Sequence, residues 1–270
     1  MVVEEDLPYL LPDPPAAPDP KQRLDFYRPR GRGWPTLVFV HGGSFERGDK
    51  DLEIGGLDIY GNIGRYYSAR GFGVALIDYR LQPEVDWLDQ VDDVAAALAW
   101  TVRAVPELGG SGRVFLAGHS AGAWLATRVA LDERVLGRHG LEPGDIAGVI
   151  SVSGSGFDLT DRRTWEMYPR EGWWAQRFER DGAERPWQEE ASIVPLVSPG
   201  APPFLLLHAE RELKALQRQN LLFHEALRRA GIDAELRPVS EGSHRRIVLA
   251  MSRGDREVTE RILAFVRAAD

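Results

Sequence analysis

Cysteine is absent from the 270 residues of this chain. That absence excludes disulfide bonds, thiolate nucleophiles and metal sites built on cysteine. Positive charge is also scarce relative to negative charge, with a formal net charge of -8 at pH 7. Because phosphate binding requires a basic surface, this balance argues against a nucleic-acid partner.

Long hydrophobic runs are missing as well. The longest apolar stretches, residues 37–40 and 204–207, are far too short to cross a bilayer. Residues 1–20 are acidic and rich in proline, without the basic start and apolar run of a secretory signal. We therefore expect a cytoplasmic protein that does not associate with membranes. Its proline-rich N-terminal arm should wrap the surface without forming a helix.

The apolar residues, 43% of the chain, are enough to bury the core of one large domain spanning residues 1–270. They occur in short runs that alternate with amphipathic helical segments. The runs are residues 37–40, 74–77, 114–117, 149–152 and 204–207. A run that is apolar on both faces suits a parallel strand covered by helices on each side. The alternation predicts an α/β fold, a doubly wound and mostly parallel sheet flanked by helices, with residues 22–28 as an edge strand.

Residues 160–198 break this alternation. They contain no clear strand pattern, yet they hold four of the eight tryptophans: Trp165, Trp173, Trp174 and Trp187. We predict that this segment is a short cap inserted over the C-terminal edge of the sheet. Trp173 and Trp174 are candidates for lining a substrate pocket. The competing hypothesis is that these rings only pack the cap against the domain.

The motif Gly118-His-Ser-Ala-Gly122 follows an apolar strand and precedes a helical stretch at residues 121–131. A serine on a sharp turn between strand and helix has a strained backbone that raises its Oγ above the sheet. The glycines on either side keep side chains out of the close approach between strand and helix. Ser120 is therefore the predicted nucleophile.

A second glycine motif, His41-Gly-Gly-Ser44, directly follows the strand at residues 37–40. A glycine pair at this position lets backbone N–H groups approach the oxyanion of a tetrahedral intermediate. Gly42, Gly43 and the N–H of Ala121 are the predicted donors. Ser44 is a candidate for a further donor of this loop and for contact with substrate.

The general base is expected to be His244, in the loop between the strand-like residues 234–239 and the last helix. The other five histidines lie elsewhere in the sequence. They are His41 in the glycine motif, His119 in the strand-to-helix turn at Ser120 (the elbow), His139 in a glycine-rich connection, His224 in a helix and His208 at a strand end. The acid should follow the strand at residues 204–207. Glu212 has the better spacing there, Glu210 is the second choice and Asp158 the third.

With these motifs, the chain resembles the α/β-hydrolase esterases of the hormone-sensitive-lipase and carboxylesterase group. Within that group it looks similar to the compact bacterial branch near feruloyl-esterase-like enzymes and kynurenine formamidases. The resemblance runs from about residue 22 to the C-terminus. The segments that carry it are Gln22-Arg-Leu-Asp-Phe-Tyr27, His41-Gly-Gly43, Asp78-Tyr-Arg-Leu81, the serine motif and Ala209-Glu-Arg-Glu212. It places the family's nucleophile at Ser120, its acid at Glu212, its base at His244 and its oxyanion donors at Gly42, Gly43 and Ala121.

Three positions depart from the family pattern. Ser44 stands where the lipase-like branch has a third glycine and where the formamidase branch commonly has an aromatic pair. The acid is a glutamate rather than the usual aspartate, and Leu213 replaces the proline that often follows it. These departures bear on the choice of substrate rather than on hydrolase chemistry.

The resulting prediction is a serine carboxylesterase that hydrolyses short- to medium-chain esters through a Ser-His-Glu triad and an acyl-enzyme. Such a mechanism requires no metal and no organic cofactor. The expected partner is a small-molecule ester, and folds of this type can form homodimers through an outer strand or the last helix. The alternatives are an arylformamidase acting on N-formylkynurenine and a catalytically silent hydrolase fold used for binding.

Overall fold

A computed structural model describes residues 1–10, 19–169 and 172–269. Its strands are β1 (Val2–Pro8), β2 (Arg23–Arg28), β3 (Trp34–Val40), β4 (Glu53–Ile54), β5 (Leu57–Asp58), β6 (Gly73–Ile77), β7 (Gly110–His119), β8 (Ile146–Val152), β9 (Phe204–Ala209) and β10 (Ala234–Val239). Its α-helices are α1 (Gly61–Ser68), α2 (Trp87–Leu108), α3 (Ala121–Leu131), α4 (Glu133–Arg138), α5 (Arg162–Met167), α6 (Ala175–Phe178), α7 (Trp187–Glu190), α8 (Lys214–Arg229), α9 (Arg246–Ala250) and α10 (Thr259–Ala268).

Eight of the strands form one sheet in the order β1-β2-β6-β3-β7-β8-β9-β10. The six strands from β6 to β10 in that order run parallel to one another, whereas β1 and β2 are antiparallel additions at one edge. All five apolar runs lie in parallel strands. The predicted doubly wound, mostly parallel α/β sheet is therefore confirmed.

Helices cover both faces of the sheet, and β3 shows why its sequence is apolar throughout. Val38 and Val40 belong to a core cluster that also contains side chains of α2, α3 and α8. The intervening Leu37 and Phe39 belong to a second cluster with side chains of α1 and α10. Since successive residues of a strand point to opposite faces, both sets are buried only when both faces are covered.

The edge of the sheet differs from the prediction that residues 22–28 form it. Val2–Pro8 is an edge strand paired antiparallel with β2, so β2 is not an edge strand. This segment can pair as a strand because the residues before Pro8 can all donate backbone hydrogen bonds. Most side chains of β1 are exposed, and this lack of an apolar pattern concealed the strand. Residues 11–18 of the predicted arm lie outside the described residues.

The cap predicted at residues 160–198 contains the short helices α5, α6 and α7, and no strand among its described residues. Phe178 of α6 is fully buried and makes ring contacts with Phe45, Trp87 and Trp124. Phe45 lies just beyond the C-terminal end of β3. The cap therefore packs at the end of the sheet where the serine and glycine motifs lie. None of the helices within the described residues is long and apolar enough to span a bilayer.

Candidate active site

The turn at Ser120 joins β7 directly to α3. Ser120 has φ 56° and ψ -120°, a strained conformation for a residue with a side chain. The surroundings enforce it: the Ser120 N–H donates to the Val152 carbonyl over 2.9 Å. A Cβ at Gly118 would overlap the carbonyl of Gly122, and one at Gly122 would overlap the carbonyl of Val40. The two glycines of the motif are thus required by close backbone contacts.

A hydrogen-bonded chain of three side chains begins at Ser120. Its Oγ lies 2.8 Å from Nε2 of His244, and Nδ1 of His244 lies 2.9 Å from Oε1 of Glu212. The carboxylate of Glu212 has 0% side-chain exposure, whereas the imidazole of His244 is 37% exposed. A buried carboxylate beside Nδ1 favours the tautomer with the proton on that nitrogen, which leaves Nε2 free to accept the serine proton.

The two alternative carboxylates lie elsewhere. Glu210 is exposed, and its Oε2 accepts a hydrogen bond from the backbone N–H of Glu241 over 3.3 Å. Asp158 accepts hydrogen bonds from the backbone N–H and the hydroxyl of Thr160. Of the three candidates, Glu212 is the one that the fold brings to the His244 imidazole.

The loop after β3 has an unusual backbone. Gly43, Ser44 and Phe45 have φ values of 136°, 59° and 68°, three successive residues in a region that side chains rarely adopt. Gly43 has no alternative, because a Cβ there would overlap the carbonyl of Arg47. Within the described residues, no backbone carbonyl accepts a hydrogen bond from the N–H of Gly43, Ser44 or Ala121.

Gly42 is different from its neighbours. Its N–H donates to the hydroxyl of Tyr60 over 3.3 Å, so this N–H already has an acceptor. A Cβ at Gly42 would lie 3.3 Å from the Cβ of Ser120, which shows how closely the loop approaches the elbow. The role of Gly42 as an oxyanion donor stays a prediction, with Tyr60 as the acceptor that its N–H meets in this structure. Glycine is required at position 42 because the loop touches the turn at Ser120. Among the described residues, no acceptor meets the N–H groups of Gly43 and Ser44, which makes them the better candidates for oxyanion donors.

His41 holds the start of this loop against Asp78 and Tyr79. Its imidazole is buried, stacks on Tyr79 with the ring centroids 4.4 Å apart, and places Nε2 3.2 Å from Oδ1 of Asp78. The Tyr79 hydroxyl donates to the His41 carbonyl over 3.1 Å. These contacts explain the residue pairs His41-Gly and Asp78-Tyr in the sequence as parts of one support.

The two tryptophans predicted to contact substrate differ in burial. Trp174 is only 3% exposed, and its ring stacks parallel to Phe178 and edge-on to Trp173. Packing therefore accounts for Trp174 in this conformation. Trp173 is half-buried, with the guanidinium of Arg177 5.0 Å from its ring centroid. Ser44 is half-buried as well.

Three further residues of the site were not predicted from the sequence: Tyr60, Arg177 and the ring of His119. The Nε2 atom of His119 lies 2.8 Å from the His244 carbonyl. Tyr60 and Arg177 carry no local motif, so only their contacts identify them. His119 carried a signal in its position within the serine motif, but that position shows nothing of where the side chain points.

Residues 37–247 match the family model of the alpha/beta hydrolase fold. The chain belongs to the α/β-hydrolase fold family. This match covers the serine motif, the glycine loop, Glu212 and His244.

Among curated relatives of this α/β hydrolase, the esterase LipC of Mycobacterium tuberculosis is 30% identical over 78% of the chain and 53% of its own length. Isoprenylcysteine alpha-carbonyl methylesterase ICME of Arabidopsis thaliana is 26% identical over 93% of the chain and 60% of its own length. The chain thus spans only 53–60% of the length of these two relatives.

Solved structures show the same fold. A truncated carbohydrate esterase from gut microbiota has a TM-score of 0.78 at 16% identity, over 99% of this chain and 97% of its own. Esterase B from Lactobacillus rhamnosis has a TM-score of 0.76 at 21% identity, over 99% of this chain and 85% of its own. At these identities the likeness concerns the fold alone.

Proposed function

We propose that this α/β hydrolase is a serine carboxylesterase whose nucleophile, base and acid are Ser120, His244 and Glu212. The observation that carries the proposal is the unbroken hydrogen-bonded chain from the Ser120 Oγ through His244 to the buried Glu212. Relatives named as esterases support the class of bond. The substrate is accordingly a small molecule with a carboxylic ester.

In the proposed first step, the Ser120 Oγ attacks the ester carbonyl while its proton passes to Nε2 of His244. Glu212 stabilises the imidazolium that forms without taking its proton. The N–H groups of Gly43, Ser44 and Ala121 bind the oxyanion, and each such donor contributes about 3–4 kcal/mol in comparable hydrolases. The imidazolium then protonates the leaving alcohol, and an acyl-enzyme remains.

In the second step, His244 takes a proton from water, and the resulting nucleophile attacks the acyl carbonyl. The same donors bind the second oxyanion. The proton then returns to the Ser120 Oγ as the carboxylic acid leaves, so the enzyme is restored without any net change.

We place the acyl-chain preference at short and medium lengths. Behind the glycine loop, Phe45, Trp124 and Phe178 are all at most 2% exposed and contact one another. Because these rings are buried against one another, we infer that they occupy the space that a long acyl chain would need. Trp173 and Ser44 border the entrance in this proposal and contact the substrate there.

A hydrolysis profile over p-nitrophenyl esters from acetate to palmitate, with N-formylkynurenine included, tests the proposal. Wild type, Ser120→Ala and the control Ser111→Ala, at an exposed serine of the same strand, should be compared. We expect turnover of short esters that disappears in Ser120→Ala and persists in Ser111→Ala. Turnover of the formamide alone would assign an arylformamidase, and no serine-dependent turnover of any substrate would refute an enzymatic role.

A further inference from the structure

His119 contacts the loop that carries His244, lies against the glycine loop after β3, and is the sequence neighbour of Ser120. It is the last residue of β7, precedes Ser120 and is only 7% exposed. On one side, its Nε2 lies 2.8 Å from the backbone carbonyl of His244. On the other, its Nδ1 would be 2.9 Å from a Cβ placed on Gly42. The ring is therefore held between the glycine loop and the loop that carries the base.

The hydrogen bond fixes the protonation of this ring. A carbonyl oxygen can only accept, so Nε2 of His119 carries the proton and donates it. No donor or acceptor within the described residues meets Nδ1. Burial, and secondarily the neighbouring His244, lowers the pKa of His119 to about 3. The ring is consequently neutral when His244 becomes an imidazolium, and it adds no opposing charge.

The base has few other restraints. The imidazole of His244 is 37% exposed, so packing leaves it considerable freedom. Its ring is held at Nδ1 by Glu212, while its backbone carbonyl is held by His119. The two imidazoles also contact each other, with centroids 5.1 Å apart and planes inclined by 44°. Glu212 thus restrains the imidazole of His244, while His119 restrains its backbone.

We propose that His119 is a positioning residue that holds the His244 backbone through its Nε2–H and thereby sets the distance from the His244 imidazole to the Ser120 Oγ. This inference rests on the proposed function. Small displacements matter here, since a shift of about 1 Å in a reacting group can reduce a rate by roughly 100-fold.

The test compares His119→Gln with His119→Met. The two replacements have similar length, but only glutamine offers an N–H near the position of Nε2. We expect His119→Met to lower kcat about 10- to 100-fold with little change in KM, and to slow fluorophosphonate labelling of Ser120 by the same factor. His119→Gln should stay within about 3-fold of wild type on both measures, because the donor is kept.

His119→Asn provides an additional variant if the buried methionine prevents folding. Its amide is shorter by one methylene and should not reach the His244 carbonyl, so we expect it to behave like His119→Met. Thermal unfolding of each variant separates lost stability from lost catalysis. Equal losses of kcat in His119→Gln and His119→Asn would overturn the positioning role. So would a kcat per labelled serine equal to that of wild type in His119→Met or His119→Asn.

The inference and the proposed function fail in different ways. If wild type neither turns over esters nor reacts with the fluorophosphonate, the proposed function fails, whatever the His119 variants do. If wild type is active and depends on Ser120, a His119→Met variant with undiminished kcat overturns the inference alone.

Discussion

The Nη2 atom of Arg177 lies 2.6 Å from Oε2 of Glu46, and this ion pair joins the cap helix α6 to the glycine loop after β3. Gln82 makes two hydrogen bonds that connect the same two segments. The Gln82 side chain donates to the Arg177 carbonyl, and the Gln82 N–H donates to the Phe45 carbonyl. The strained residues Gly43 to Phe45 are thus held in place partly by the cap.

Replacing Arg177 by methionine should therefore loosen the glycine loop. We expect kcat to fall several-fold and the free energy of unfolding to fall by about 1–3 kcal/mol, since hydrogen bonds to charged groups are worth this much. The control is Arg163→Met, at an exposed arginine of α5. Combining Arg177→Met with Glu46→Gln should cost less than the sum of the two single changes. Additive losses would show that the ion pair does not couple cap and loop.

The choice of acid can be tested with two glutamates on the same loop. Glu212→Gln should lower kcat by about 100- to 10,000-fold, because a neutral amide no longer stabilises the His244 imidazolium or holds its tautomer. Glu210→Gln should leave kcat within about 2-fold of wild type, since among the described residues that carboxylate accepts a hydrogen bond from the Glu241 backbone and none from His244. Steady-state kinetics on one short ester suffices. Comparable losses in both variants would contradict the assignment.

Gly43→Ala tests the role of the left-handed loop. The added Cβ would overlap the Arg47 carbonyl at a φ of 136°, so the loop must move and the N–H groups with it. We expect kcat to fall by about 100-fold, the usual effect of losing one oxyanion donor. Gly137→Ala is the matched control, because its Cβ meets nothing within 4 Å and it lies in α4. Unchanged kcat in Gly43→Ala would remove this loop from the oxyanion site.

The buried His119 should also leave a signature in acid stability. Its folded-state pKa is about 3, below the ordinary value of 6.5. Between these values the unfolded chain binds a proton that the folded chain excludes, so the unfolding free energy falls as the pH drops from 6.5 towards 3. The slope for one proton is at most about 1.4 kcal/mol per pH unit.

Urea unfolding of wild type and His119→Gln over this pH range measures that contribution. Groups that titrate alike in both proteins cancel in the difference. We expect wild type to lose stability relative to the variant as the pH falls below 6.5, because glutamine has no proton to gain. A difference that is constant with pH would mean that His119 is protonated equally in the folded and unfolded chains.

The parallel sheet was predictable because five of its six parallel strands contain a run that is apolar on both faces, as at Leu37 to Val40, and burial of both faces has few other solutions. The edge strand Val2–Pro8 was not, since its exposed side chains follow no pattern and only pairing with β2 stabilises it. The same distinction applies to Gly42. A glycine at this position predicted a close approach of the backbone to another group. Only the folded chain shows that its N–H donates to the Tyr60 hydroxyl and that its Cα lies against Ser120.

The sequence by itself determined the sheet and the turn at Ser120, because glycine spacing and strand-to-helix order are local and tolerate few conformations. Only the tertiary structure brings Glu212, rather than Glu210, to the His244 imidazole, and it alone places His119 against the His244 carbonyl, 125 residues away along the chain. Both outcomes depend on where side chains point after distant loops have packed together. Local propensities do not encode that direction, whereas burial and hydrogen bonding in the folded core do.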